Sequence, residues 1–389
     1  MNNPVDIKFT ASQEPSCNID FVSFSKDSCT FEGSVTGCSI PGEPLVYLKC
    51  GAGEYPCAHF QKKAAPFELS ENEISFKGSI PLIPGHSLKD ISIVLKSNGG
   101  EVFPLQVTIG KFVPLFAPFP QSACYYGPWK LSFKSPAFSI QWEPVVSLSR
   151  FNTFLRGMFG LLRMRAFKTV VFKTFYHIAK PFVRKQIWLI SDRVTKAGDN
   201  GEALFRYLCA LRPKDIHPVF VISKSSSDFK ALRKTGSVVA YLSIRHKLLH
   251  LLSKCVISSA GYSPMNCPVT PLLKDIAAKP FVFLQHGITN NDISAWVNRY
   301  SQNISGFVTA AKPEHASIIE NPAYHYRDDQ VWLTGFPRFD LLKNNSQRKI
   351  TIMPTWRMAL MKAYNSKAGV WQIANEFKDS DYVRFFPGS

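Results

Sequence analysis

KQIWLISDRVTKAGDNGEALFRYLCALR, residues 185–212, holds a complete structural unit in one line of text. The run KQIWLIS is short and continuously apolar, which suits a strand buried on both faces of a parallel sheet. A polar stretch containing Gly198 and Gly201 follows, and GEALFRYLCALR then takes up helical spacing. The alternation recurs downstream. HPVFVIS, SVVAYLS, KCVISSA, PFVFLQHG, GFVTAA and QVWLTG read as strands, with SDFKALRKT, IRHKLLHLLSK and KPEHASIIE as helices between several of them. The pattern predicts an α/β, Rossmann-like domain over residues 185–342. KNNSQR then reads as a linker, and KITIMPT as the first strand of a second such domain over residues 343–389, too short to be complete.

In open parallel sheets ligands bind at the carboxyl ends of the strands, so polar residues there are the candidates for chemistry. The first set is SDRVTKAGDNGEALF, where Asp192 leaves the strand and Asp199 or Asn200 caps the next helix beside Gly201. Free N–H groups at that helix start would suit an anion or a hydroxyl-rich ligand. The G-x-G-x-x-G spacing of a dinucleotide site is missing. The second set is Gln285, His286 and Gly287 in FLQHGITNND, residues 283–292. An unperturbed histidine titrates near 6.5, which suits proton abstraction from an alcohol at neutral pH. Gly287 would permit a positive φ or the close approach of a substrate. The third is Arg338 and Asp340 in WLTGFPRFDLL, either projecting into the crevice or paired with each other to pin the turn. The fourth is Thr355 and Arg357 in MPTWR, where Arg357 would hold a phosphate bidentately. Each of the four also has a plain structural reading, as a turn or a packed strand end.

Working outward, residues 1–135 read as an all-β, sandwich-like domain of short strands (IDFVSF, PLVYLKC, EISFKGSI, ISIVLKS, EVFPLQVTI) separated by Gly, Pro and Ser-Asn breaks. His59 and His86 within it read as surface or structural residues. Residues 136–184 form a basic, amphipathic linker. Arg150, Arg156, Arg163, Arg165, Lys168, Lys173, Lys180 and Arg184, with Lys185 just beyond, occur with no acidic residue among them, and apolar side chains are interleaved at helical spacing. Such a segment fits an anionic membrane surface or a helix packed on its own protein.

Lys and Arg number 46 against 28 Asp and Glu, a net +18, so anionic partners are expected. Nucleic acid is disfavoured, because the basic residues alternate with apolar ones and carry no recognition motif. Nine cysteines without a C-x-x-C pair favour neither zinc nor a disulfide framework, and no carboxylate cluster calls for a metal. Reduced thiols, the absence of a ~20-residue apolar span and an N-terminus unlike a secretory signal are consistent with a cytoplasmic protein.

WLISDRVTKAGDNGEALFRYL, FLQHGIT, WLTGFPRFDLL and IMPTWR, in this order, resemble the CDP-glycerol glycerophosphotransferase family of teichoic-acid primases, polymerases and capsule relatives, over roughly residues 185–389. The resemblance implies a GT-B architecture of two facing Rossmann-like domains and no cofactor beyond CDP-glycerol as donor. It implies peripheral association with the inner face of the bacterial membrane, and transfer of glycerol phosphate to a hydroxyl of a lipid-linked acceptor with release of CMP. His286 matches the family's base, while TGFPRFD and PTWR match its interdomain and cleft motifs. The family's second histidine motif and its Asp-Tyr-Ser-Ser-type motif do not occur before Ser389, so an incomplete donor-side domain and a chain inactive alone are expected. Two other readings remain: a non-catalytic scaffold fragment, and a GT-B glycosyltransferase that uses a sugar nucleotide.

Overall fold

The computed structural model describes residues 15–37, 44–60, 73–97, 99–103, 105–116, 118–119, 122–261, 267–344, 361–365 and 370–380. The chain divides into two compact units, Met1–Leu341 and Leu342–Ser389.

The first unit begins with strands β1 (Ser16–Phe24), β2 (Ser28–Thr36), β3 (Leu45–Cys50), β4 (Gly53–Pro56), β5 (Ala58–Phe60) and β6 (Ile74–Pro81). They are followed by β7 (Leu88–Lys96), β8 (Val102–Phe103), β9 (Gln106–Ile109), β10 (Ala123–Tyr126), β11 (Trp129–Lys134) and β12 (Ala137–Trp142). One sheet has the order β5-β6-β2-β1-β9, and the other runs β10-β11-β12-β7-β3-β4 with β8 on β7. Their alternating inward residues, Ile19, Phe31, Leu48, Phe76, Ile91, Leu131 and Phe138 among them, form one buried core. The sandwich extends beyond residue 135. β12 pairs with β11 through a tight hairpin from Lys134↔Ala137 to Trp129↔Trp142. The alternation in AFSIQW is a strand signal, and it lies inside the segment expected to be linker.

Two helices follow, α1 (Leu148–Arg163) and α2 (Phe167–Ala179). The α/β region then comprises β13 (Gln186–Ser191), α3 (Asn200–Leu211), β14 (Ile216–Ile222), α4 (Asp228–Thr235), β15 (Ser237–Ala240), α5 (Ile244–Leu252) and β16 (Cys255–Ser258). It continues through α6 (Lys274–Ala277), β17 (Phe281–Phe283), α7 (Arg299–Gln302), β18 (Gly306–Thr309), α8 (Lys312–Glu320) and β19 (Val331–Leu333), and ends in a 3-10 helix, Pro337–Leu341. All seven strands are parallel, in the order β15-β14-β13-β16-β17-β18-β19. Phe205 and Leu208 of α3 and Leu232 of α4 pack on one face. Leu252 of α5 and Ile318 of α8 pack on the other, joined by Phe175 and Tyr176 of α2. Covering both faces is what continuously apolar strands require. The chain leaves β13 toward β14 on one side and resumes at β16 on the other, so the topological switch lies between β13 and β16.

In the second unit the described residues form a two-stranded antiparallel hairpin, β20 (Met361–Asn365) with β21 (Val370–Ile373), and a 3-10 helix, Asn375–Asp379. KITIMPT, expected as a strand, lies outside the described residues, as do Thr355 and Arg357.

Candidate active site

The switch between β13 and β16 collects three of the four expected sets, and the first side chain on the way out is Asp192. It is buried at the end of β13, and its carboxylate turns back onto its own helix. Oδ1 accepts the Gly201 N–H at 2.8 Å and the Ser259 hydroxyl at 2.6 Å, and Oδ2 accepts the Asp199 and Glu202 N–H groups at 3.1 and 3.0 Å. Burial raises its pKa, and these bonds work against that rise. The expectation that the start of α3 offers free N–H groups to an anion is therefore corrected. The Asn200 N–H is also taken, by the Asp199 carboxylate at 2.9 Å, so the first turn is capped from within. A Cβ at Gly201 would collide with the Ser191 carbonyl and the Asp192 carboxylate. Glycine is required here by close approach of the backbone.

Asn200 is completely buried. Its Nδ2 donates to the carbonyls of Leu284 and Gln285 at 3.2 and 2.9 Å, and its Oδ1 accepts the Arg338 N–H at 3.2 Å. One side chain thus ties the start of α3 and the end of β17 to the Pro337–Leu341 turn.

The turn after β17 is held in an unusual conformation. Gln285 adopts φ +58°, a left-handed conformation that costs a non-glycine residue about 1–2 kcal/mol. Gly287, expected to permit a positive φ or the close approach of a substrate, has no positive φ, and a Cβ there would meet the Arg338 guanidinium only at 3.7 Å. The Gln285 side chain is turned inward, 2% exposed, and its expected role as a ligand contact becomes one of positioning. Nε2 donates to the Val308 carbonyl at 2.6 Å and to Glu314 at 3.1 Å, while Oε1 accepts the Thr289 hydroxyl at 2.8 Å. Buried Glu314 also accepts the N–H groups of Thr289 and Ala310, which locks the loop after His286 against α8.

This framework presents His286. Its side chain is 46% exposed, and Nδ1 lies 2.6 Å from Asp199 Oδ2. Arg338 Nη1 donates to the other oxygen of the same carboxylate at 2.7 Å. Burial alone would raise the Asp199 pKa, but the bonds from His286 and the Asn200 N–H, with the charge on Arg338, outweigh it and hold the group below the usual carboxylate range. An ionised Asp199 requires the proton on Nδ1, so that in the neutral ring Nε2 carries the lone pair. Arg338 therefore pairs with Asp199 and not with Asp340, which is exposed and makes no ion pair among the described residues. Among those residues, no three His, Cys, Asp or Glu side chains cluster as a metal site would.

Ser259, Glu314 and Thr289 are supporting residues that sequence reasoning missed. The signal for Ser259 is the SSA that ends KCVISSA at the switch. Glu314 lies in KPEHASIIE, where helical spacing alone puts it among surface residues.

Comparison with known proteins supplies the affiliation. Residues 172–386 match the model of the CDP-glycerol:poly(glycerophosphate) glycerophosphotransferase family. The minor teichoic acid biosynthesis protein GgaB of Bacillus subtilis (strain 168) is 39% identical over 220 residues. That match covers 55% of this chain and 24% of GgaB, so the chain spans about a quarter of the length of this relative. Among solved structures, the wall teichoic acid polymerase TagF aligns at 12% identity with a TM-score of 0.32, covering 51% of this chain and 49% of the other. A TagF variant soaked with CDPG aligns at 12% identity with a TM-score of 0.35, covering 57% and 59%. The family match takes in more than half of the chain, including all of the parallel sheet and the His286 turn: this protein belongs to the CDP-glycerol:poly(glycerophosphate) glycerophosphotransferase family.

Proposed function

We propose that the chain transfers glycerol phosphate from CDP-glycerol to a hydroxyl of a membrane-linked acceptor in teichoic-acid or capsule-type polymer synthesis. The observation that carries this reading is the exposed His286 imidazole, oriented through Nδ1 by Asp199 at the carboxyl edge of the switch. Nε2 takes the proton of the acceptor hydroxyl. The freed oxygen attacks the β-phosphorus of CDP-glycerol, the bond from that phosphorus to the bridging oxygen breaks, and CMP leaves with the electron pair. Arg338, fixed by Asp199 with its side chain partly exposed, offsets charge on the diphosphate. In this reading the parallel sheet is the acceptor-side half of a GT-B enzyme. No helix among the described residues is long and apolar enough to cross a membrane. The exposed basic and apolar side chains of α1 and α2 are assigned to an anionic bilayer, where the acceptor would be presented.

The test is CMP release from CDP-glycerol in the presence of a glycerol-phosphate-primed lipid acceptor, by the chain alone and joined to a complete donor-side domain. His286→Ala should lower the rate by about 10²–10⁴-fold, the typical contribution of a positioned general base, with an unchanged thermal melt. Turnover by His286→Ala within a fewfold of the parent would reduce His286 to a turn residue and defeat the reading.

A further inference from the structure

A second cavity, of about 470 Å³, lies at the other end of β17 from His286, between the sandwich and the α/β region. Its size is ordinary for a small-molecule site. The chain after β9 contributes Phe112, Val113 and Leu115, and the segments around α6 and the start of β17 contribute Val269, Ala277 and Phe281. Lys274 and Lys279 also line it, and the Lys279 ammonium lies 5.9 Å from the centre of the Tyr176 ring. Lys274 donates to the Gly110 carbonyl at 3.1 Å and Lys279 to the Leu251 carbonyl at 2.8 Å. Among the described residues neither pairs with a carboxylate, and the adjacent Asp275 is engaged by Lys173. An ammonium group carries three donors, so each has hydrogens to spare. Burial lowers the pKa of both, that of Lys279 to about 8, as expected for cations held without a counter-ion.

We propose that this cavity binds an anionic amphiphile, with a carboxylate or phosphate head at Lys274 and Lys279 and an apolar body against Phe112, Leu115 and Phe281. The head would supply the missing counter-charge, and the body would complete the contact between the sandwich and the α/β region. The proposal does not depend on the role assigned to His286.

Calorimetric titration of the full 389-residue chain with decanoate, decyl phosphate and decanol, below their aggregation concentrations, tests it. Saturable one-to-one binding is expected for at least one anion, with the alcohol about tenfold or more weaker, as the loss of charge-assisted hydrogen bonds predicts. Preference between the two anions identifies the head group. Lys274→Met with Lys279→Met should bring the anion down to the level of the alcohol. Ala278→Trp, at an exposed residue on the rim, should block all three probes without changing the melt, and it decides the matter if the lysine variant fails to fold. Equal affinity for decanol, unaltered binding by both variants, displacement of the anion by CDP-glycerol, or no saturable binding would each overturn the proposal.

Discussion

At the scale of single residues, the candidate site depends less on His286 than on the groups that leave it only one orientation. Asn200 is the clearest case, because its amide is completely buried and bonded to Leu284, Gln285 and Arg338. Asn200→Ala would leave two buried carbonyls and one N–H without their partner, at about 1–3 kcal/mol for each group left unsatisfied. It would also release the strained Gln285 backbone. Urea unfolding should show a loss of about 2–4 kcal/mol, and CMP release should fall further than the loss of folded protein explains. A stability change under about 0.5 kcal/mol would show that the three segments hold together without this side chain. His286 is visible in the sequence because an apolar strand ends abruptly at an imidazole and a glycine, and Asp199 because it stands where a helix cap belongs. The direction in which Asp192 and Gln285 turn was not legible. Both are polar residues at strand ends, and only the neighbouring strand and α8 decide that they point inward.

At the scale of elements, α1 and α2 carry the open question of the basic segment. Gly157, Leu161 and Thr169 are buried, and Phe172, Phe175 and Tyr176 pack on the α/β cores, so the helices do rest on their own protein. They nonetheless expose Phe151, Phe159, Phe167, Val171 and Ile178, with Phe182 just beyond α2. Arg156, Arg163, Arg165 and Lys168 are exposed among them. Each surface cation near an anionic bilayer contributes about 1 kcal/mol, so replacing these four with Gln should weaken binding to anionic vesicles by up to about a thousandfold. Binding should also weaken as salt screens the attraction. Equal sedimentation with neutral and anionic vesicles would count against the bilayer. The continuously apolar strands and periodic helices of the α/β region were readable because burial on both faces leaves an unbroken signal. The sandwich strands were not all readable. β2 (SCTFEGSVT) mixes serines and a buried glutamate into its alternation, and β12 falls where the basic segment had seemed to begin.

For the molecule as a whole, the least expected feature is that the sandwich and the α/β region form one compact unit, joined through a buried charge pair. Glu32 of β2 and Arg299 of α7 meet at 2.6 Å, with side chains 3% and 15% exposed. Arg299 also lies over the Phe21 ring at 4.5 Å, and Phe21 stacks on Phe112. The β-bulge between Ile19 and Phe21 turns the Phe21 ring toward this seam while Val22 returns to the sandwich core. Nothing in the local sequence signals the pairing, since the two residues are 267 positions apart. Removing one member of a buried pair typically costs about 3–5 kcal/mol, because the other charge stays buried without its partner, whereas replacing both with apolar groups is often close to neutral. Glu32 also meets Lys77 at 3.4 Å and the Tyr300 hydroxyl at 3.4 Å, so Arg299→Met should destabilise the chain by less than that, about 1–3 kcal/mol, and Glu32→Leu with Arg299→Met should recover most of the loss. Because the pair joins two regions, the single variant should also unfold in two steps, the sandwich separating from the α/β region, where the parent unfolds in one. Urea melts of the parent, both single variants and the double variant, followed by tryptophan fluorescence and by limited proteolysis, would measure the coupling directly. Additive single effects, with coupling under about 0.5 kcal/mol, would mean that the seam is held by its aromatic contacts and that the charge pair only accompanies them.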